Sequence, residues 1–461
     1  MDQTANKSRR SRARAHLINL YAAAVSAVEP RRAITRAFLG QAQAMNGGAV
    51  EVGHLLNDAP KIRMLAVGKA ALGMAAELAH RLDDRLSVGL VIAPGPSAAA
   101  PDPSIEVANP VWPRIKLLHA AHPIPDASSE IAGRAALDFA HATARDELFV
   151  LALSGGASAL MAVPAAGISL ADKAALSSAL MRAGANIHEL NAVRKHLSAI
   201  KGGGLLTALP GVGVVALVMS DVPGNDLGTI GSGPAASDPT TYNEAIAVLK
   251  RRGLWGRAPE SIRDRLERGV AGEIMETLKP CDPRFERVTN VIVGDNRIAI
   301  DAAAEAGAGL GYQVVRVRDL HGEADQLGAQ LAAQVCAITQ ERVCMIAGGE
   351  PVVTVRGTGA GGRAQQCALA MALELGVRGA GRCIMAIFAG TDGVDGPTDA
   401  AGAIITPETI ARASEAGFDA QVALHRNDSY PLFKALGDAL LIGPTGTNVA
   451  DVFIALINFQ V

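Results

Sequence analysis

The sequence has few aromatic residues, no cysteines at metal-binding spacing, no excess of positive charge and no long apolar run, and each absence narrows the reading. Phe, Trp and Tyr make up 3% of the 461 residues. The interior must therefore be filled by Ala, Val, Leu and Ile, the usual packing of helices on parallel strands. A formal net charge of -2 offers no basic field for nucleic acid and no attraction to a membrane surface, so small molecules are the expected partners. The five cysteines (Cys281, Cys336, Cys344, Cys367 and Cys383) are odd in number and lack CxxC spacing, which argues against a disulfide framework or a zinc knuckle and fits a reducing, cytoplasmic compartment. No segment is long enough to span a bilayer. Residues 7–14, KSRRSRAR, followed by LINLYAAAVSAV, superficially resemble the start of a signal peptide. The apolar positions nevertheless continue through Ala33, Ile34, Phe38 and Leu39, interleaved with Arg31, Arg32 and Arg36, as in an amphipathic helix.

What the chain does contain is a repeated phrase of strand, glycine and helix. Short apolar runs at 62–68, 88–95, 115–123, 148–156 and 214–222 alternate with Ala/Leu-rich stretches. This alternation predicts parallel strands with helices on both faces, a fold that binds ligands at the carboxyl ends of its strands. An Arg-rich helical segment at 242–278 leads to Lys279-Pro280-Cys281-Asp282-Pro283, whose prolines suggest a boundary between domains at 1–283 and 284–461. Further apolar runs follow at 288–296, 312–319, 342–350, 351–357, 383–393 and 439–448. The pair at 342–357 is separated only by a Gly-Gly-Glu-Pro turn, which predicts an antiparallel hairpin and hence a mixed second sheet.

Most of the candidate loops follow predicted strands. Lys69, in the VGKA of 67–70, opens the helical stretch AALGMAAELAHRL. An ammonium near a helix N-terminus suits a phosphate, although a solvated lysine beside a turn fits the same residues. The loop is neither a Walker A nor a GxGxxG sequence. In SGGASAL, Ser154, Gly155, Gly156 and Ser158 form a glycine-rich turn whose amides suit phosphate or carboxylate oxygens. A nucleophilic serine is disfavoured there because GxSxG is absent. Arg194, Lys195 and Lys201 crowd before Gly202-Gly203-Gly204, read either as a cationic helix C-terminus or as a polyanion site. Ser220-Asp221-Val222-Pro223-Gly224-Asn225-Asp226 offers Asp221 as base or cation ligand and Asn225 as a binding group, although ordinary turns use the same residues. In the second domain, Gly359, Gly361 and Gly362 precede Arg363 at the start of a helix. A fixed guanidinium there could hold two oxygens of a transferring phosphoryl group. The loop AGTDGVDGPTDAAGA (389–403) sets Asp392, Asp395 and Asp399 among glycines with no cation nearby, a pattern that suits a hard cation or a hydroxyl.

Taken together, the segments 67–70, 154–160, 191–204, 220–234, 348–365, 390–403 and 443–451 closely resemble the glycerate 2-kinase (class II glycerate kinase, MOFRL-type) family, whose members are also often labelled hydroxypyruvate reductases. The resemblance implies ATP-dependent, divalent-metal-dependent (Mg2+ or another cation) phosphorylation of D-glycerate at its 2-hydroxyl. It also implies two three-layer α/β/α domains, the first with a mainly parallel Rossmann-like sheet and the second with a mixed sheet, with the active site in the cleft between them. By motif, Lys69 and Arg363 are the residues expected to be essential for transfer. Asp221 would activate the hydroxyl or hold metal, and Asp392 and Asp395 would serve metal and substrate positioning. Ala364 stands where the family usually has Asn. The rival enzyme reading, a nicotinamide-dependent reductase, needs GxGxxG with an acid about twenty positions on, and the first domain's strand ends lack it. A sugar-acid binding module would have no use for acidic loops set against Lys69 and Arg363. The expected assembly is a monomer or homodimer.

Overall fold

The computed structural model describes residues 3–44, 48–95, 107–108, 113–317 and 319–459. Contacts divide the chain into Ala33–Val293 and a second unit made of Met1–Arg32 with Gly294–Val461. The break therefore falls about ten residues beyond the predicted prolines, because the strand Val288–Gly294 still pairs in the first sheet, Ile292 lying opposite Gln43. The N-terminal helix Gln3–Ala27 belongs with the later residues. It packs on the helix Asn296–Gly309 and the strand Asp451–Ile457, and the Tyr21 hydroxyl donates to the Gly390 carbonyl at 2.6 Å. Among the described residues no helix is long and apolar enough to cross a membrane.

The larger unit is built on a nine-stranded sheet. At its centre Val214–Met219, Glu147–Leu153, Lys61–Val67, Leu86–Pro94 and Ile115–Ala120 run side by side and parallel. These strands are β-branched and aliphatic, and Val214–Met219 is buried throughout, as expected for strands covered on both faces. The short strands at both margins pair antiparallel. Helices Leu170–Arg182, Ile187–His196, Tyr242–Arg251 and Glu260–Val270 share a separate apolar cluster around Tyr242. Two of them start on capping boxes, Asn186 with Glu189 and Thr241 with Glu244. Each such cap is worth about 1 kcal/mol.

The second unit has a mixed sheet, as expected, but not through the expected hairpin. Strand Val343–Gly349 is followed by a chain with only an isolated bridge at Val352. Its antiparallel neighbour is Asp451–Ile457, which also pairs antiparallel with Ile384–Gly390. Gln313–Arg316 and Gly402–Ile405 form the edges. The predicted strand at 439–448 is thus loop, and the DVFIALI run just beyond it is the central strand. Phe388 and Phe453, directly opposite, stack with ring centroids 4.6 Å apart.

Helix Arg363–Arg378 lies buried against this sheet and is started by a carboxylate from another loop. Asp395 accepts from the Ala364 and Gln365 amides at 3.1 and 2.8 Å and from Gln365 Nε2 at 3.1 Å. Burial first, and then the nearby Asp451 charge, push its carboxyl up to about 7, while the helix amides pull it back. The folded state therefore holds a proton between about 3.8 and 7 that the unfolded chain releases, so this stabilising contribution is full below that window and lost as pH rises through it. Thermal melts of wild type and Asp395→Asn should show the wild type losing ground to the variant between pH 5 and pH 8. A pH-independent gap between the two would show that Asp395 does not titrate in the fold.

Candidate active site

Register brings three predicted loops of the larger unit to one edge. Val67 is paired with Leu153, and Leu153 with Val218. Lys69, the Ser154–Leu160 loop and Asp221 therefore leave adjacent parallel strands on the carboxyl side, where such sheets bind ligands. The first two loops are stitched together. The Lys69 amide donates to the Gly155 carbonyl at 2.9 Å and the Ala70 amide to Ser154 Oγ at 3.0 Å. Gly68, at φ +127°, allows this approach, since a Cβ there would lie 2.1 Å from Ser154 Oγ. Ser154 is wholly buried, so its hydroxyl holds the loops together and is not the oxygen-binding group expected from sequence. Lys69 is half-buried. A Cβ on Gly156 would come within 3.0 Å of the His122 ring and 3.5 Å of Lys69 Cγ, which places His122 beside this loop. Sequence reading missed His122 because it follows a strand that ends without a glycine signature.

Beyond this loop lies a cluster of cations around hydroxyls. Ser158 Oγ accepts from Arg194 Nη2 at 2.9 Å and from Lys201 Nζ, and it faces Ser232 Oγ at 3.1 Å. Lys201 Nζ also reaches the Ser158 carbonyl at 3.0 Å and Ser232 Oγ at 3.4 Å. Among the described residues neither cation has a carboxylate partner. Burial first, then the charges of Arg194, Lys173 and Lys195, hold Lys201 well below a lysine's ordinary pKa. Burial also lowers Arg194. Nearby, the buried Lys173 ammonium has no hydrogen-bond partner. Burial, Arg194 and Arg265 bring it down to about 7 against the pull of Glu130. At an effective dielectric constant of about 20, one anion about 4 Å from a single such cation gains roughly 4 kcal/mol. Ser158 Oγ is shared by Arg194 and Lys201, which fixes it between the two basic side chains.

Lys195 points elsewhere, forming a buried pair with Asp238 at 3.3 Å. It also lines a cavity of about 800 Å³ together with Asn191 and Asn225. Asn191 joins the two regions: its Oδ1 accepts from Ser232 Oγ at 3.2 Å. Neither Asn191 nor Ser232 carried a sequence signal of its own, although both lie within segments that did.

In the second unit the predicted arginine is already engaged. Arg363 donates from Nε and Nη2 to both oxygens of Asp451, at 2.7 and 3.1 Å, and from Nη1 to Glu350. Burial opposes its charge, but Asp451 and Glu350 more than offset this and raise its pKa. Sequence reading missed both acids as partners, since Asp451 opens the strand that was placed too early. The preceding glycine loop is held by the 426–429 turn. The Gly359 amide meets the Arg426 carbonyl at 3.2 Å and the Ala360 amide meets Asp428 Oδ1 at 2.8 Å. A Cβ at Gly362 would lie 2.2 Å from Asp395 Oδ1, and one at Gly361 would lie 2.4 Å from Ser429 Oγ. The glycines expected to bind phosphate therefore serve close packing on that side.

The metal assignment does not fit. Both Asp395 oxygens are taken by the helix start, while Asp392 Oδ1 accepts from the Val394 amide at 3.2 Å. Among the described residues no group of three or more His, Cys, Asp or Glu side chains stands as a metal site.

Known proteins resemble the chain along nearly its whole length. Residues 16–267 match a family described as a domain of unknown function, DUF4147, and residues 343–451 match the MOFRL family. A glycerate 2-kinase of Pyrococcus horikoshii is 34% identical over 449 residues, covering 96% of each chain. A protein of Agrobacterium vitis carrying the provisional name hydroxypyruvate reductase is 35% identical over 442 residues, 93% of this chain and 94% of its own. The crystal structure of a glycerate kinase from Thermotoga maritima has a TM-score of 0.79 at 32% identity, spanning 97% of this chain and 100% of that one. Matched across both units and by near-complete relatives, the chain belongs to the MOFRL-type glycerate 2-kinase family.

Proposed function

We propose that the chain transfers the γ-phosphoryl group of ATP to the 2-hydroxyl of D-glycerate, giving 2-phosphoglycerate and ADP. The observation that carries this reading is the pairing of half-buried Arg194 with buried Lys201, neither with a carboxylate partner among the described residues, at the carboxyl edge of a parallel sheet. Both substrates are anions, and cations left in this state gain most from them. In the proposed step Asp221 takes the proton of the glycerate hydroxyl as its oxygen bonds to the γ-phosphorus. The bond from that phosphorus to the bridging oxygen breaks, and ADP leaves with the electron pair. Lys69 neutralises charge on the migrating group. Arg363, with one hydrogen left on each terminal nitrogen by its acidic partners, offers a fixed fork to phosphoryl oxygens. Any divalent cation is proposed to enter on the nucleotide's phosphates. Five free cysteines accord with a reaction in the reducing cytoplasm.

Lys69→Ala should lower kcat by at least about 1,000-fold, in the range seen when a phosphoryl clamp is removed, with an unchanged circular dichroism spectrum. Arg363→Lys keeps a cation for Asp451 while losing the planar fork, and should fall comparably. Near-wild-type turnover in either variant removes that residue from the mechanism. Glycerate-dependent ADP release, with phosphorus NMR of the product, tests the reading itself. NADH oxidation by hydroxypyruvate without ATP would replace it.

Lys201→Met makes a separate test. Removing a buried charge and keeping its volume should raise the melting temperature, while the KM of at least one anionic substrate rises about tenfold or more, equivalent to about 1.4 kcal/mol. A lower melting temperature with unchanged KM would mark Lys201 as purely structural.

A further inference from the structure

We propose that the cavity bounded by Asn191, Lys195, Asn225 and Asn290 holds the nucleoside part of the donor nucleotide, with its phosphates directed toward Ser158, Arg194 and Lys201. The proposal rests on the kinase reading and adds a location to it. Size makes the first cut. At about 800 Å³ the cavity falls within the roughly 300–1,000 Å³ typical of sites that enclose a whole small-molecule ligand, and a three-carbon acid would fill only a corner of it.

The walls make the second. His188, Asn191, Ala192 and Lys195 of one helix line it, spaced so that they share a single face. Opposite stands the turn carrying Asn225, held at φ 57°, a left-handed conformation unusual for a side-chain-bearing residue. The only carboxylate among the lining residues, Asp226, is satisfied by its own turn, accepting from the Gly228 amide at 3.0 Å and Thr229 Oγ1 at 2.6 Å. Phe285 and Val288 supply an apolar wall on which a base can lie, and Asn290 and Ser237 supply hydrogen-bonding groups along the rim.

Continuity with the cation cluster makes the third. Asn191 is 4% exposed; its Oδ1 is tied to Ser232, while its Nδ2 has no acceptor in the fold. Ser232 in turn meets Ser158 and Lys201. Two side chains, Asn191 and Ser232, thus link the cavity to the Arg194 and Lys201 cluster, the layout required by a ligand with an uncharged body and a polyanionic tail. A second cavity of about 540 Å³, lined by Tyr242, Arg265 and Glu276, is less suited. Its Arg265 Nε is spent on the His196 carbonyl, and its Glu276 on His196 and Lys279.

The test is calorimetric titration with ADP of wild type, Ser237→Trp, which fills the cavity, and the near-isosteric Asn290→Leu, which keeps the test alive should the first fail to fold. Steady-state KM values for ATP and glycerate are measured alongside. The expected result is at least a tenfold loss of ADP affinity and a matching rise in the KM for ATP, with the KM for glycerate within twofold of wild type. Wild-type ADP affinity in folded variants overturns the placement and leaves the kinase reading intact. A rise confined to glycerate reassigns the cavity to the acceptor. A wild-type protein that neither binds ADP nor releases it from ATP in the presence of glycerate overturns both.

Discussion

A buried lysine and a half-buried arginine, with no acid to pair with among the described residues, set the terms for the larger unit. Arg194 and Lys201 converge on one hydroxyl, and burying charge in this way costs several kcal/mol per ion unless something answers it. The fold offsets that cost with distributed means: a helix begun by a capping box, hydroxyls from two loops, and glycine loops tied to each other by backbone bonds such as Gly203 N–H to Gly233 O at 2.8 Å. The strain is concentrated where a ligand would relieve it, the usual relation between local instability and function. The parallel sheet matters because it presents three successive loop ends on one side, so that residues far apart in sequence share an environment.

The second unit solves the opposite problem. Its arginine is held by acids, Asp451 in a two-point contact and Glu350 beside it, with one hydrogen left on each terminal nitrogen. The Tyr21 hydroxyl, its pKa raised first by burial and then by Asp392 and Asp451, covers the same acidic patch. The guanidinium there has acidic partners before any ligand arrives, and what the unit provides is direction: a cation held by three hydrogen bonds. Asp395, although predicted as a metal ligand, does related work one residue away by starting the helix on which Arg363 stands.

How much of this was legible follows from what each signal measures. The parallel core was readable because buried strands in such sheets are continuous aliphatic runs, and the loops because glycine is forced wherever backbones nearly touch, as at Gly68 against Ser154. The same reasoning misfired at Gly362, where the close neighbour is Asp395 rather than a ligand. No hairpin forms at 342–357 because closeness in sequence does not ensure pairing, and the distant strand Asp451–Ile457 takes the same edge. His122, Ser232 and Glu350 were invisible because nothing local distinguishes a polar residue that meets its partner only after folding. Acidic residues crowded in one loop looked like a metal site, yet each was spoken for by nearby amides or cations.

Chain order and pairing order disagree in the second unit. Helix Gln3–Ala27 leaves the ribosome before Asp451–Ile457, the strand on which it rests, and the residues between them take on the order of tens of seconds to make. Meanwhile the intervening residues can assemble their own parallel sheet. During that interval the part of the helix that meets this strand has no cover, and Val343–Gly349 and Ile384–Gly390 lack the neighbour they share. A newly made molecule therefore passes through a stage in which its early-born helix and two open strand edges are exposed together, a natural point for a chaperone to hold the chain.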